Sequence, residues 1–146
     1  MYTHTTKQRV KYSDTDRMGF MHHSNYVRYY ETSRWELLRS IGISYKSIEE
    51  DNYLLPVTNM TFRFIKPAFY DDLLTIETTL NEIKGAQMFF TYKMYNSAHD
   101  LINEAKTVVA FIQKENRQPC HPPEHIMNAF HSIDENKESA FQTKFH

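Results

Sequence analysis

The apolar residues of this chain change period once, and that change restricts its fold more than any other feature. Across residues 25–41, Val27, Tyr30, Arg34, Leu37, Leu38 and Ile41 fall on one stripe at a spacing near 3.6 residues, which predicts one long helix. Gly42 follows at the stop position, where a left-handed residue commonly closes a helix. Beyond it the period drops to two. Residues 54–66, 73–83, 87–95 and 101–114 read as strands, with Met60, Phe62 and Phe64 on one face, then Leu74, Ile76 and Leu80, then Met88, Phe90, Tyr92 and Met94. Each apolar face needs a cover, and only one long helix is available to supply it.

Residues 5–13 add an earlier strand, with Val10 and Tyr12 on one face and Lys7, Arg9 and Lys11 on the other, a polarity that suits a sheet edge. Lys84-Gly85 and residues 96–100 are short enough for hairpin turns, so the last three strands form an antiparallel meander. Residues 108–112 are apolar on both faces, which places them centrally or against a second buried surface such as a dimer interface. Ser44 is positioned to cap a short helical turn over residues 44–51, and residues 124–130 can form a short helix after Pro119, Pro122 and Pro123. The order predicts an α+β fold in which a five-stranded antiparallel sheet wraps around one long α-helix. The 146 residues suit a single domain, taken as 1–131, followed by a polar, loosely ordered tail at 132–146.

Charge and cysteine content narrow the function classes. With 17 basic and 18 acidic side chains the formal net charge is -1, so nothing favours general binding to nucleic acid. Charged or polar residues interrupt every hydrophobic segment well short of the roughly 20 residues that span a bilayer, so no membrane span is expected. A single cysteine, Cys120, and the lack of a basic-then-apolar leader make the cytoplasm the expected location.

Of the three glycines, Gly42 and Gly85 are explained by a helix end and a hairpin, while Gly19 is left over in the first connection. That connection reads Tyr12-Ser13-Asp14-Thr15-Asp16-Arg17-Met18-Gly19-Phe20-Met21-His22-His23-Ser24-Asn25-Tyr26. Two aspartates before a helix are, by themselves, commonly turn and capping chemistry. The longer constellation Asp14, Asp16, Gly19, His23 and Tyr26 fits D-x-D-x-x-G-x-x-x-H-x-x-Y. It resembles the signature of the 4-hydroxybenzoyl-CoA thioesterase branch of hot-dog proteins, which includes the acyl-CoA thioesterases of the bacterial Tol-Pal gene neighbourhood. Tyr30, Glu31 and Arg34 in the helix, and the aromatic, Pro-Ala and acidic pattern of residues 64–72, extend the resemblance over about residues 5 to 115.

The resemblance implies hydrolysis of acyl-CoA thioesters. Such chemistry needs a carboxylate that attacks the carbonyl or activates water, and donors for the developing oxyanion. By resemblance Asp16 is the carboxylate and the His23 backbone N–H is the oxyanion donor at a helix start. The His23 imidazole is open to three roles: orienting Asp16, donating to the carbonyl, or assisting the leaving thiolate. Gly19 would let the loop approach substrate, Tyr26, Phe20 and Met21 would line the acyl channel, and Asp14 would organise the loop. Arg63, Lys66 and Lys93 are candidates for the CoA phosphates. Glu31 is the rival carboxylate, although an ion pair with Arg34 one turn on is its plainer explanation. No metal is expected from His22-His23, because adjacent residues rarely bind one ion and no third ligand is apparent. No cofactor is implied, since CoA belongs to the substrate. The resemblance further implies a homodimer or homotetramer, and leaves acyl carrier protein as an alternative carrier and a non-catalytic acyl-binding module as an alternative function.

Overall fold

The structure is a computed structural model and describes residues 1–133. Strand β1 (Tyr2–Arg9) leads through a single 3-10 turn (Tyr12–Asp14) to helix α1 (Asn25–Ser40) and a short helix α2 (Tyr45–Glu50). Then come β2 (Tyr53–Leu54), β3 (Val57–Phe64), β4 (Leu73–Lys84), β5 (Gln87–Tyr95), β6 (Leu101–Ala110) and β7 (Ile112–Gln113). Residues 124–133 form a last helix, whose Ile126 and Phe130 join the core. The expected tail lies, from residue 134 onward, outside the described residues.

Five strands form one antiparallel sheet in the order β1-β4-β5-β6-β3, with α1 against its inner face. Alternation decides which side chains face the helix: Leu74, Ile76, Thr78 and Leu80 of β4, and Met88, Phe90, Tyr92 and Met94 of β5, are all buried. From α1 they meet Tyr26, Tyr29, Tyr30, Ser33, Arg34, Leu37 and Leu38. The rings of Tyr30 and Tyr92 lie 4.6 Å apart at the centre of this contact. Truncating a fully buried leucine there, such as Leu37, would cost about 2–5 kcal/mol. Gly42 ends the helix as expected, at φ 86°. Val27, expected on the buried stripe, is 37% exposed, because the stripe runs through Tyr26 and Tyr30.

The strand limits differ from the periodic reading where the backbone finds other partners. The expected strand at 54–66 is split by Pro56, which has no N–H for a ladder. β2 pairs instead with β7, while β3 pairs with β6. The expected strand at 101–114 is split at Phe111, which turns into the core and whose N–H donates to the Ala86 carbonyl (2.8 Å). β1 begins earlier than expected and ends at Arg9, after which Tyr12 enters the 3-10 turn and is 77% exposed. Residues 101–110, apolar on both faces near their end, owe this to a place between β5 and β3.

The two sheet edges are unlike. β1 exposes Thr3, Thr5, Lys7 and Arg9. β3 carries Val57, Met60, Phe62 and Phe64, with Phe64 55% and the following Ile65 39% exposed. No helix among the described residues is long and apolar enough to cross a membrane.

Candidate active site

The loop between β1 and α1 is folded by its own polar groups. The Asp16 N–H donates to the Phe20 carbonyl (2.8 Å), the Gly19 N–H to the Asp16 carbonyl (3.1 Å), and bridges join Thr15 to Met21 and Phe20 to Phe69. The turn requires φ 83° at Gly19, which a residue with a β-carbon rarely adopts. A β-carbon there would meet no atom within 4 Å, so the backbone angle, and not crowding, calls for glycine.

Inside the turn Asp16 is half-buried. Its Oδ1 accepts from the Met18 N–H (2.8 Å) and, more weakly, the Phe20 N–H (3.4 Å). The capping role of a loop aspartate is therefore present, on one oxygen. Oδ2 has no hydrogen-bond partner among the described residues. Asp16 lines a cleft of about 320 Å³ together with Phe20, Met21, His22, His23, Tyr26 and residues 64–67. Of the residues singled out from sequence, the fold brings Asp16, His23, Tyr26 and Lys66 into this one cleft.

At the start of α1 the N–H of Asn25 donates to the His22 carbonyl (3.0 Å), that of Tyr26 to the His23 carbonyl (3.4 Å), and that of Ser24 to His22 Nδ1 (3.2 Å). The His23 N–H has no partner among the described residues; it stands one residue before the N-cap Ser24, just outside the helix at whose start the sequence placed it. The His23 imidazole is exposed and stacks on His22 at 4.1 Å, while His22 Nδ1 bonds the Ser24 hydroxyl (2.8 Å). Tyr26 is fixed as a wall by its ring contact with Phe64 (5.1 Å) and by the Ala68 backbone; burial raises its hydroxyl pKa and the Ala68 bond opposes this.

Asp14 has different surroundings. It is buried, and its carboxylate accepts the Tyr29 hydroxyl (2.6 Å) and pairs with Arg28. Burial pushes its pKa up, but the Tyr29 and Arg28 hydrogen bonds outweigh burial and hold the carboxyl below its ordinary value. The same contact, added to burial, pushes Tyr29 up to about 12. The Asp14 carbonyl accepts from the His22 N–H (2.9 Å) and Asn25 Nδ2 (2.8 Å), and so ties the loop to the helix. A larger cleft of about 670 Å³ lies on this side, lined by Arg9, Lys11, Tyr12, Arg28 and Tyr70. Its two carboxylates are engaged, Asp14 by Tyr29 and Arg28 and Asp71 by Arg9 (3.6 Å), so the smaller cleft, with a free carboxylate oxygen, is the better candidate for chemistry.

The remaining sequence candidates lie apart from Asp16. Glu31 is exposed and lines no described cleft with Asp16. Arg34 is buried and donates to the Tyr92 hydroxyl (3.2 Å), in place of the expected pair with Glu31. Arg63 pairs with Glu104 (3.5 Å) beside Lys93 and Lys106 in a separate depression of about 370 Å³, whereas Lys66, in the Asp16 cleft, pairs with Asp100 (3.4 Å). No group of three metal-ligating side chains occurs among the described residues. Tyr29 and Arg28, the partners of Asp14, gave no signal in the sequence. They sit 15 and 14 residues away, and only the docking of α1 beside the loop brings them back.

Residues 10–130 match the sequence model of the thioesterase-like superfamily. The acyl-CoA thioester hydrolase YbgC of Escherichia coli O157:H7 is 33% identical over 122 residues, covering 84% of this chain and 91% of the relative. The putative acyl-CoA thioesterase YneP of Bacillus subtilis is 29% identical over 118 residues, covering 80% and 86%. Among solved structures, the DHNA-CoA thioesterase from Staphylococcus aureus superposes with a TM-score of 0.88 at 21% identity over 96% of each chain. The sheet wrapped around α1 is thus the hot-dog fold, and the chain belongs to the thioesterase-like superfamily.

Proposed function

We propose that this protein hydrolyses acyl-CoA thioesters to a free acid and coenzyme A, with Asp16 as nucleophile or general base. The observation that carries the reading is a cleft lined by both an aspartate with one free carboxylate oxygen and His23, whose backbone N–H has no partner among the described residues. In the general-base route Asp16 takes a proton from water as its oxygen adds to the thioester carbon. The His23 N–H stabilises the oxyanion, which collapses as the C–S bond breaks, and the departing thiolate takes up a proton. In the nucleophilic route the Asp16 oxygen adds first and the C–S bond breaks to release the CoA thiolate, and water then cleaves the mixed anhydride. Relatives named as acyl-CoA thioester hydrolases support this substrate class. Tyr26 and Lys66 line the acyl entrance, Gly19 serves the turn, and the reaction needs no metal or cofactor.

The active unit is a homodimer or a homotetramer built from it, acting in the cytoplasm. The β3 edge supports an oligomer, because an unpaired edge strand that ends in the exposed Phe64 and Ile65 is a template for pairing with a second copy. A second subunit would also deepen a cleft of about 320 Å³, which is near the lower limit for burying a small ligand.

A thiol-release assay on an acyl-CoA panel, run on wild type and Asp16→Asn, tests the reading. Loss of turnover in a folded variant supports it, and near wild-type turnover would sink it. After a single turnover in 18O-water, 18O in the protein establishes the nucleophilic route, since only an anhydride opened at the Asp16 carboxyl carbon leaves it there. Light scattering that gives a monomer at micromolar concentration overturns the dimer.

A further inference from the structure

We infer that Asn103, held by Tyr30, is a specificity-determining residue that favours acyl groups bearing an oxygen substituent over plain hydrocarbon ones. This rests on the thioesterase reading above. Asn103 faces inward from β6 and is fully buried, at 0% exposure. Its Oδ1 accepts the Tyr30 hydroxyl at 2.6 Å, and its Nδ2 has no partner. Each buried polar group left unpaired costs about 1–3 kcal/mol, so a primary amide in this position calls for an account. Turning the amide over does not remove the difficulty, because the Tyr30 hydroxyl can serve only one of its ends.

Strand register shows where the free end lies. Asn103 is opposite Phe64 on β3 and opposite Met94 on β5, and directly opposed side chains share a face about 5 Å apart. Tyr30 approaches from the other direction, over the next row of the sheet, where its ring meets Phe62 and Tyr92. The amide end left free by Tyr30 therefore belongs to the row of Phe64, whose ring meets Tyr26. Those two rings touch edge to face at 5.1 Å and both line the Asp16 cleft. Phe64 both lines the cleft and lies opposite Asn103, so a change of its rotamer joins the cleft to the amide. An acyl group entering there meets apolar walls and one buried donor, and a hydroxyl, oxo or carboxyl oxygen would complete the set of hydrogen bonds. A site built around a donor rejects analogues that lack the acceptor far more strongly than an apolar pocket rejects extra bulk.

The test compares kcat/KM for hexanoyl-CoA with its 3-, 5- and 6-hydroxy derivatives, in wild type, Asn103→Leu and Tyr30→Phe. Wild type should prefer at least one hydroxy position by about tenfold or more, as a single donor used only by that substrate would give. Asn103→Leu should abolish the preference by lowering turnover of the hydroxy substrate while sparing hexanoyl-CoA. Tyr30→Phe, which frees the amide to turn, should reduce the preference partway. Wild type without preference at any position, or an unchanged ratio in a folded Asn103→Leu, overturns the assignment and points to a trapped water as the partner of the amide. If Asn103→Leu does not fold, an unchanged ratio in Tyr30→Phe overturns it equally. Turnover of hexanoyl-CoA keeps these results separate from the proposed activity, whereas hydrolysis of no thioester at all overturns both.

Discussion

Asp14 and Asp16 are two residues apart in one loop, and the fold uses them in opposite ways. Asp14 faces α1, where Tyr29 and Arg28 consume its carboxylate and its carbonyl holds His22 and Asn25. Asp16 faces the cleft, where two backbone N–H groups steady one oxygen and leave the other open. A carboxylate locked by a tyrosine and an arginine organises structure. One held by a single oxygen keeps its position and still has a lone pair to offer a reactant.

The sharpest way to break this comparison is to neutralise each in turn. Asp16→Asn should lower kcat by about 10³-fold, within the range for loss of a general base, while the melting temperature stays within a few degrees. Asp14→Asn should show the reverse. Removing one member of a buried charge-assisted set costs about 2–3 kcal/mol, and the low end applies because Arg28 is more than half exposed. For a domain of this size that is a fall of roughly 5–10 °C in Tm, with kcat reduced less than in Asp16→Asn. Equal loss of activity in both folded variants would erase the distinction.

The long helix, the alternating strands and the meander were legible because they are periodic, and a period is a local property of the chain. The limits of the strands were less so. Pro56 and Phe111 divide strands whose alternation continues across them, since the interruption depends on partners found in β7 and Ala86. The loop constellation pointed to Asp16, His23 and Tyr26 together, and these do line one cleft. What local spacing could not carry was the division of labour between the two aspartates, because Tyr29 meets Asp14 only after α1 docks. Nor did it reveal the Tyr30–Asn103 contact, which spans 73 residues.

The Asp14 side of the comparison also has a pH signature. A depressed carboxyl pKa contributes stability that is present above the unfolded value, about 3.9, and is lost as pH falls through the folded value. A raised phenol pKa acts at the other end: the Tyr29 contribution is present below the ordinary tyrosine value of 10.0 and is lost as pH rises toward about 12. The Tm difference between wild type and Asp14→Asn should therefore shrink below about pH 4, and that between wild type and Tyr29→Phe should shrink between about pH 10 and 12. Differences that stay constant across both windows would mean that the Asp14–Tyr29 bond does not couple to folding.

The smallest effect belongs to His23, and it tests whether the Asp16 side depends on backbone or side chain. Its imidazole is exposed and makes no hydrogen bond among the described residues, while its N–H is a free donor beside the cleft. If the backbone does the work, His23→Ala removes the ring and keeps the donor, and kcat should fall by no more than about tenfold, against the 10²–10³ expected for a lost oxyanion donor. A loss as large as that of Asp16→Asn would move the catalytic role onto the imidazole. It would also show that the open oxygen of Asp16 works as half of a side-chain pair, and not with the helix start alone.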